Sequence, residues 1–440
     1  MEKIKLSYSG SFISQNKINK AGRTLQKEIK GMSLASKKGY GNDKASINLP
    51  TDEKALNNVI KIIKAKKALN PEYLVVVGIG GSNLGTIAVQ EAVLGKFYNQ
   101  LNPRIKILYS DTVDSDSVQD IMGIIEPVLK KGKNIIINGV SKSGGTTETM
   151  ANFEIFIRLL KKYKKNYEKY VVVTSDKGSK YWNLALEKGF GTLEIPKKVG
   201  GRYSVFSPVG LFPLGLIGVN IDKLLEGAAL MRKQCLNKNI KNNPAALSAI
   251  LLYLNSKKGK NIADLFLFSN DLESVGKWYR QLMGESIGKE FSVKGKKIHN
   301  GITPTVSIGS TDLHSMAQLY LGGPYDKFTA FVRVRGNKAN VKVPDFKEYS
   351  NLVDKIQGKS LEKIMNAVLE GTKAAFRKGK RPFMELALPD KSESSIGQLL
   401  QLKMMEIMYL GFLMEVNPFD QPNVEDYKAE TKRILSGGSF

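Results

Sequence analysis

Short apolar runs alternate with amphipathic stretches along the first half of the chain. The runs are rich in Val, Ile and Leu and predict buried strands at residues 74–78, 105–109, 134–138 and 170–174. Helical spacing follows them, for example at residues 147–165 and 211–230. Because strands and helices alternate, we predict an α/β fold in which a doubly wound parallel sheet carries helices on both faces.

The second half of the chain repeats this alternation. Further strands are predicted at residues 264–269, 305–308 and 328–334, and helices at 245–254, 275–283, 361–377, 395–415 and 424–435. A stretch rich in Lys and Asn at residues 233–244 is interpreted as the connection between two domains. We therefore expect a first domain at residues 51–232 and a second at 245–440. Residues 1–50 are expected to form an arm with short elements, and Thr51 to cap the first helix.

The first strand runs directly into a glycine-rich loop, Gly78-Ile79-Gly80-Gly81-Ser82, which is followed by a helical pattern. Free backbone N–H groups and the helix dipole favour an anion at such a loop, and the glycines allow the ligand to approach closely. The loop also resembles the start of a dinucleotide fingerprint, but Asn83 stands where the third glycine is required. An NAD-dependent oxidoreductase is therefore kept only as an alternative.

A second loop, which follows the third strand, is rich in hydroxyl groups. Ser141, Ser143, Thr146 and Thr147 lie within seven residues at a predicted helix start, and Lys142 adds a positive charge. A single hydroxyl would be read as a helix cap, whereas several that converge can bind a phosphate. The Gly-Lys-Ser/Thr ending of a nucleotide-triphosphate loop is missing. Both loops are expected at the same edge of the sheet, where α/β proteins bind ligands.

Composition adds little to this interpretation. The 440 residues have a formal net charge of +26, but the lysines are spread in short helical clusters, which indicates a solvated basic surface and no nucleic-acid partner. Part of this charge is expected to attract an anionic substrate. Cys235 is the only cysteine, and the N-terminus lacks a long apolar run, so we expect a cytoplasmic protein with no membrane span.

Histidine, the most common group in acid–base catalysis, is scarce in this chain. His299 and His314 are the only histidines, and no metal-ligand spacing is present, so no metal site is expected. Proton transfer would then fall on carboxylates or lysines. Glu285 lies directly after a predicted helix, with Gln281 one turn before it, but a lone Glu is usually a surface residue.

Taken together, these motifs resemble the glucose-6-phosphate isomerase family in its shorter bacterial form, over roughly residues 70–430. The resemblance rests on six segments in this order: Gly78-Ile79-Gly80-Gly81-Ser82, Ser141-Lys142-Ser143-Gly144-Gly145-Thr146-Thr147-Glu148-Thr149, Gly200-Gly201-Arg202-Tyr203-Ser204, Gly284-Glu285-Ser286, Asp312-Leu313-His314-Ser315, and Phe419-Asp420-Gln421-Pro422-Asn423-Val424-Glu425-Asp426-Tyr427-Lys428. Each segment is weak evidence alone, and the ordered set is specific. It implies two sugar-isomerase domains with helical N- and C-terminal extensions.

The resemblance implies reversible isomerisation of glucose 6-phosphate to fructose 6-phosphate without metal or cofactor. It assigns Glu285 to proton transfer between C2 and C1 through a cis-enediolate, Arg202 to the charge on that intermediate, and His314 and Lys428 to ring opening. The implied substrate-binding residues are Gly80, Gly81, Ser82, Ser141, Lys142, Ser143, Thr146, Gln281 and Gln421. The family's His comes from the partner subunit, so a homodimer is implied.

Two departures from the family pattern and two nearby alternatives remain. Lys197-Lys198 precede the glycine pair, where the family usually has an acidic or small polar residue at the first position. Asn423 replaces a usual glycine, and Asn tolerates a left-handed backbone. A sugar-phosphate sensor would keep the hydroxyl loop but lack the Glu285, Arg202 and Lys428 set. Mannose 6-phosphate as a second substrate stays open.

Overall fold

The computed structural model of this chain describes residues 2–438. Within them the strands are β1 (Lys5–Ser7), β2 (Pro71–Val77), β3 (Lys106–Ser110), β4 (Asn134–Val140), β5 (Val171–Ser175), β6 (Gly191–Glu194), β7 (Ile262–Phe268), β8 (Lys289–Phe291), β9 (Lys297–Asn300), β10 (Thr303–Ile308), β11 (Lys327–Val334) and β12 (Phe383–Leu388). The α-helices are α1 (Gln15–Ala35), α2 (Glu53–Lys67), α3 (Leu84–Leu94), α4 (Ser115–Lys130), α5 (Thr147–Tyr163), α6 (Lys180–Glu187), α7 (Pro208–Leu216), α8 (Ile221–Cys235), α9 (Pro244–Ser256), α10 (Glu273–Ile287), α11 (Thr311–Ser315), α12 (Ala317–Gly322), α13 (Leu361–Lys378), α14 (Glu393–Leu413) and α15 (Val424–Leu435).

The first sheet has the strand order β3-β2-β4-β5-β6, and all of its strand pairs are parallel. The chain passes from β2 outward to β3 and then returns to the other side of β2 to form β4. Strand order therefore reverses between β2 and β4, and such a switch point leaves a crevice at the carboxyl ends of the strands. The glycine loop follows β2 and the hydroxyl loop follows β4, so both open at this crevice.

The second sheet is wound in the same way. Its order is β1-β12-β11-β7-β10, in which β7 lies between β10 and β11 just as β2 lies between β3 and β4. The strand β1 is an addition at the edge, because it pairs antiparallel with β12. The prediction of two doubly wound parallel sheets is confirmed, although the two halves share no clear sequence repeat.

Several local predictions were wrong. Residues 1–50 hold more than short elements, because α1 spans 21 residues and β1 joins the second sheet. The N-cap of α2 is Asp52, whose side chain accepts a hydrogen bond from the Ala55 N–H. Thr51, the predicted cap, precedes it by one residue. Residues 211–230 form two helices because Gly218, with φ of +103°, turns the chain between α7 and α8.

Charged residues in the apolar stretch near residue 400 are buried and paired. Lys403 and Glu406 on α14 form an ion pair of 3.0 Å, with side-chain exposures of 1% and 0%. Glu406 also accepts a hydrogen bond of 2.5 Å from the Tyr279 hydroxyl of α10. This network fastens α10, the helix that carries Glu285, to the most deeply buried helix of the second half. No helix within residues 2–438 is both long and apolar enough to cross a membrane.

Candidate active site

The glycine loop after β2 packs against the turn at Gly201–Tyr203. A Cβ on Gly81 would lie 2.3 Å from the carbonyl carbon of Gly201, so only glycine allows this close approach. Gly80 has φ of +58°, and a Cβ there would lie 2.9 Å from the Gln281 Nε2 atom. The loop therefore brings the first sheet into contact with both Gly201 and α10. These contacts gather the predicted residues Gly80, Gly81 and Gln281.

Arg202 is the centre of the site. Its side chain is only 2% exposed, and its guanidinium group donates five hydrogen bonds. Nε donates to Ser286 Oγ at 2.7 Å, and Nη1 donates to Glu285 Oε2 at 2.9 Å and to Gln421 Oε1 at 2.8 Å. Nη2 donates to the carbonyls of Pro418 at 2.7 Å and Asp420 at 3.0 Å. Arg202 is thus a fixed positive charge.

Glu285 lies in the last turn of α10, and not after the helix as the sequence suggested. Gln281, one turn earlier, donates from Nε2 to Glu285 Oε1 at 2.8 Å. The Glu285 side chain is 33% exposed, whereas that of its partner Arg202 is 2% exposed. A carboxylate that is open to a ligand and backed by a buried guanidinium can accept a proton while the cation stabilises a neighbouring oxyanion.

The hydroxyl loop after β4 is held together by its own polar groups. Ser141 Oγ lies 3.2 Å from Thr146 Oγ1 and accepts a hydrogen bond from the Gly144 N–H at 3.2 Å. Ser143 Oγ accepts from the Gly145 N–H at 3.3 Å. These N–H and O–H groups are gathered at the start of α5, where a phosphate could accept hydrogen bonds from them.

Lys142 points toward the segment before the Gly200-Gly201 pair. Its Nζ donates to the Lys197 carbonyl at 2.7 Å. Burial lowers the pKa of the Lys142 amino group, against the attraction of Asp176. The departure at residues 197–198 therefore lies beside the hydroxyl loop, and it adds two further positive charges there.

The structure does not bring His314 or Lys428 to this cluster. His314 lies on the exposed α11, and no hydrogen bond or ion pair joins its side chain to any part of residues 2–438. Lys428 pairs with Glu425 on α15 at 2.8 Å, and α15 buries none of its residues. In a single chain, neither of the two groups expected to open the sugar ring makes a hydrogen bond or an ion pair with Glu285.

The sequence analysis missed residues that hold Arg202 in place. Ser286 stands in a motif singled out above, but no role was assigned to it, and the carbonyls of Pro418 and Asp420 carry no signal in the sequence. The left-handed conformation considered for Asn423 was wrong, because its φ is −67°. Its side chain donates to Glu290 Oε2 at 2.9 Å instead, which ties the segment before α15 to β8.

The chain is similar to known proteins over most of its length. The family model described as phosphoglucose isomerase matches residues 63–438. The glucose-6-phosphate isomerase of Carboxydothermus hydrogenoformans is 36% identical over 84% of this chain and 80% of its own length. That of Leptospira biflexa is 34% identical over 99% of this chain and 96% of its own.

Solved structures share the fold over nearly the whole chain. A protein of Thermus thermophilus, described as hypothetical, superposes with a TM-score of 0.87 at 30% identity and covers 99% of this chain and 100% of its own. A glucose-6-phosphate isomerase of Chlamydia trachomatis superposes with a TM-score of 0.85 at 22% identity, covering 99% of this chain and 89% of its own. With the family match and these relatives, the chain belongs to the phosphoglucose isomerase family.

Proposed function

We propose that the cluster of Arg202, Glu285 and the hydroxyl loop is where this chain carries out the reaction of its family. That reaction is the reversible isomerisation of glucose 6-phosphate to fructose 6-phosphate, a step of glycolysis and gluconeogenesis. The observation that carries the assignment is the 2.9 Å contact between buried Arg202 and the partly open Glu285 carboxylate. A cytoplasmic location is proposed with it, because glycolysis is a cytoplasmic process.

Glu285 acts as the base in the isomerisation. It takes the proton from C2 of the open-chain aldose, which leaves a cis-enediolate with negative charge on O1. A proton then passes from the O2 hydroxyl to O1, and Glu285 returns its proton to C1, so that C2 becomes the carbonyl carbon of the ketose. The enediolate oxygens carry negative charge. Arg202, which lies beside the Glu285 carboxylate, stabilises that negative charge, and its side chain does not have to move to do so. Gln281 and Gln421, which contact Glu285 and Arg202 respectively, orient the sugar hydroxyls.

The phosphate lies at the other end of the substrate. Ser141, Ser143 and Thr146, with N–H groups of the same loop and Lys142 nearby, bind it, while Gly80, Gly81 and Ser82 line the sugar. Contacts far from the reacting carbons hold C2 against Glu285 and lower the entropy cost of the reaction.

The reaction is tested directly with purified protein. Conversion of fructose 6-phosphate to glucose 6-phosphate is measured with and without EDTA, and again with mannose 6-phosphate as the substrate. We expect EDTA-resistant turnover of fructose 6-phosphate. Absence of turnover would refute the proposed function, and turnover of mannose 6-phosphate would widen the substrate range.

Loss of hydroxyls from the phosphate loop should weaken substrate binding. Ser143→Ala and Thr146→Ala each remove one donor to a phosphate dianion, and such charged hydrogen bonds are worth enough to raise KM about tenfold. kcat should change little, because neither group touches C1 or C2. Steady-state kinetics with fructose 6-phosphate, together with a thermal melt, measures both effects. An unchanged KM in both folded variants would contradict the phosphate assignment.

We further propose a homodimer in which His314 of one subunit serves the site of the other. His314 and Lys428 would open the ring by moving protons at the ring oxygen and O1. The exposed position of His314 and the uncovered α15 support this assignment, since both lie on surfaces that a partner could reach.

Subunit complementation tests this arrangement. Glu285→Gln and His314→Ala should each be inactive alone. In a mixed dimer, one of the two sites combines an intact Glu285 with an intact His314. Random exchange between equal amounts should therefore restore roughly a quarter of wild-type activity. Mixed subunits that stay inactive after exchange, with heterodimers verified by differential tags, would contradict the shared site.

A further inference from the structure

Lys289 is a buried lysine directly behind the site. It begins β8, two residues after the end of α10, and only 6% of it is exposed. Its Nζ donates to the Glu285 carbonyl at 2.6 Å and to the Asp420 carbonyl at 2.6 Å, and it lies 3.4 Å from Asp420 Oδ1.

These contacts join the two stretches of main chain that surround Arg202. The Glu285 carbonyl belongs to the residue whose carboxylate acts as the base. The Asp420 carbonyl accepts from both Lys289 Nζ and Arg202 Nη2, and the next residue is Gln421. A single ammonium group therefore ties the end of α10 to residues 418–421, which Arg202 holds from the other side.

We propose that Lys289 is a positioning residue for the isomerisation: it fixes the main chain beneath Glu285 and Gln421, and through them the guanidinium group of Arg202. This inference rests on the roles proposed above for Glu285 and Arg202. Lys289 touches no reacting atom. It acts through the position of the base, and a misplacement of about 1 Å at a reacting group can cost ~100-fold in rate.

The charge of Lys289 contributes as well as its hydrogen bonds. A cation at the C-terminus of α10 interacts favourably with the helix dipole and with the unpaired carbonyls of the last turn. Burial, followed by repulsion from Arg202, lowers the pKa of the Lys289 amino group. The amino group keeps its place because it pairs with two carbonyls and with Asp420.

A series of substitutions at Lys289 separates these contributions. Lys289→Met keeps the apolar stem but removes both the donors and the charge, Lys289→Gln keeps donors without charge, and Lys289→Arg keeps both. We expect kcat for fructose 6-phosphate to fall at least tenfold in the Met variant, with KM changed less than about twofold, because the hydroxyl loop that binds the phosphate does not contact Lys289. The Arg variant should regain much of the lost kcat, and the Gln variant should lie between.

Lys66 provides a matched control. It is 7% exposed and donates to the Lys169 carbonyl, but it lies at the amino ends of the strands, opposite the site. Lys66→Met should lower the melting temperature and leave kcat unchanged. If Lys289→Met, folded by circular dichroism, kept wild-type kcat, or if Lys66→Met lost kcat equally, the inference would be overturned.

Glu285→Gln, assayed in the same experiment, distinguishes failure of the positioning role of Lys289 from failure of the base role of Glu285. An inactive Glu285→Gln beside a fully active Lys289→Met refutes only the positioning role. An active Glu285→Gln refutes the proposed base, on which that role depends.

Discussion

Replacement of Glu285 by Gln should lower kcat by ~10²–10⁴-fold, the range that a general base contributes. Gln keeps the shape of the side chain and an oxygen that can accept from Arg202, but it cannot take the C2 proton. Binding of sugar phosphates should survive, because the hydroxyl loop is unchanged. The measurement is kcat for fructose 6-phosphate, together with the Kd of a hexonate 6-phosphate, a compound that the enzyme cannot isomerise.

Glu273 supplies the control for this substitution. It lies in the first turn of the same helix, pairs with Lys96 and with Lys277 at 3.0 Å, and has a side-chain exposure of 30%, close to the 33% of Glu285. Glu273→Gln should leave kcat unchanged. Near wild-type turnover by Glu285→Gln would contradict the assignment of Glu285 as the base.

Arg202→Lys should lower kcat nearly as much as Glu285→Gln does, although the positive charge is kept. Lysine has three donors on one nitrogen and cannot reproduce the planar set that contacts Glu285, Gln421 and the two carbonyls. The positive charge would lose its fixed position beside the enediolate, and kcat should fall by ~10²–10³-fold, a loss similar to that of one oxyanion donor. kcat and KM are measured beside the melting temperature.

Arg381 is a comparable arginine away from the site. It is 7% exposed and donates to the carbonyls of Leu321, Gly323 and Pro324 at 2.6–2.9 Å, just before β12 at the amino edge of the second sheet. Arg381→Lys should cost stability without lowering kcat. Equal losses of kcat in Arg202→Lys and Arg381→Lys would show that folding, and not electrostatics, explains the first result.

The sheets and the two loops of the first half could be predicted because each depends on local pattern. A strand of apolar residues followed by glycines or hydroxyls is visible within ten positions, and parallel pairing of β2 with β4 then places both loops at one edge. The contact between Arg202 and Gln421 joins residues 219 positions apart, and no periodicity encodes it. Only the resemblance to a family assigned both residues to one site.

Other errors have local physical causes. The strand β12 was missed because Glu385 interrupts a short apolar run, and in the fold that carboxylate is compensated by Lys373. Lys289 was overlooked because a lysine is ordinarily a surface residue, and only the surrounding carbonyls make its burial tolerable. Buried charge is thus where sequence reasoning was weakest, and one of these charges, Lys289, contacts the main chain of the site.

The pairing of β1 with β12 has a consequence for how the two halves depend on each other. The strand β1 belongs to the second sheet, the chain after it builds the whole first sheet, and only then does it form the other strands of the second sheet. A cut in the Lys- and Asn-rich connector would therefore leave the N-terminal piece with a stray edge strand and the C-terminal piece with an unprotected one. Because the N-terminal segment supplies a strand to the second sheet, neither half of the chain is expected to fold alone.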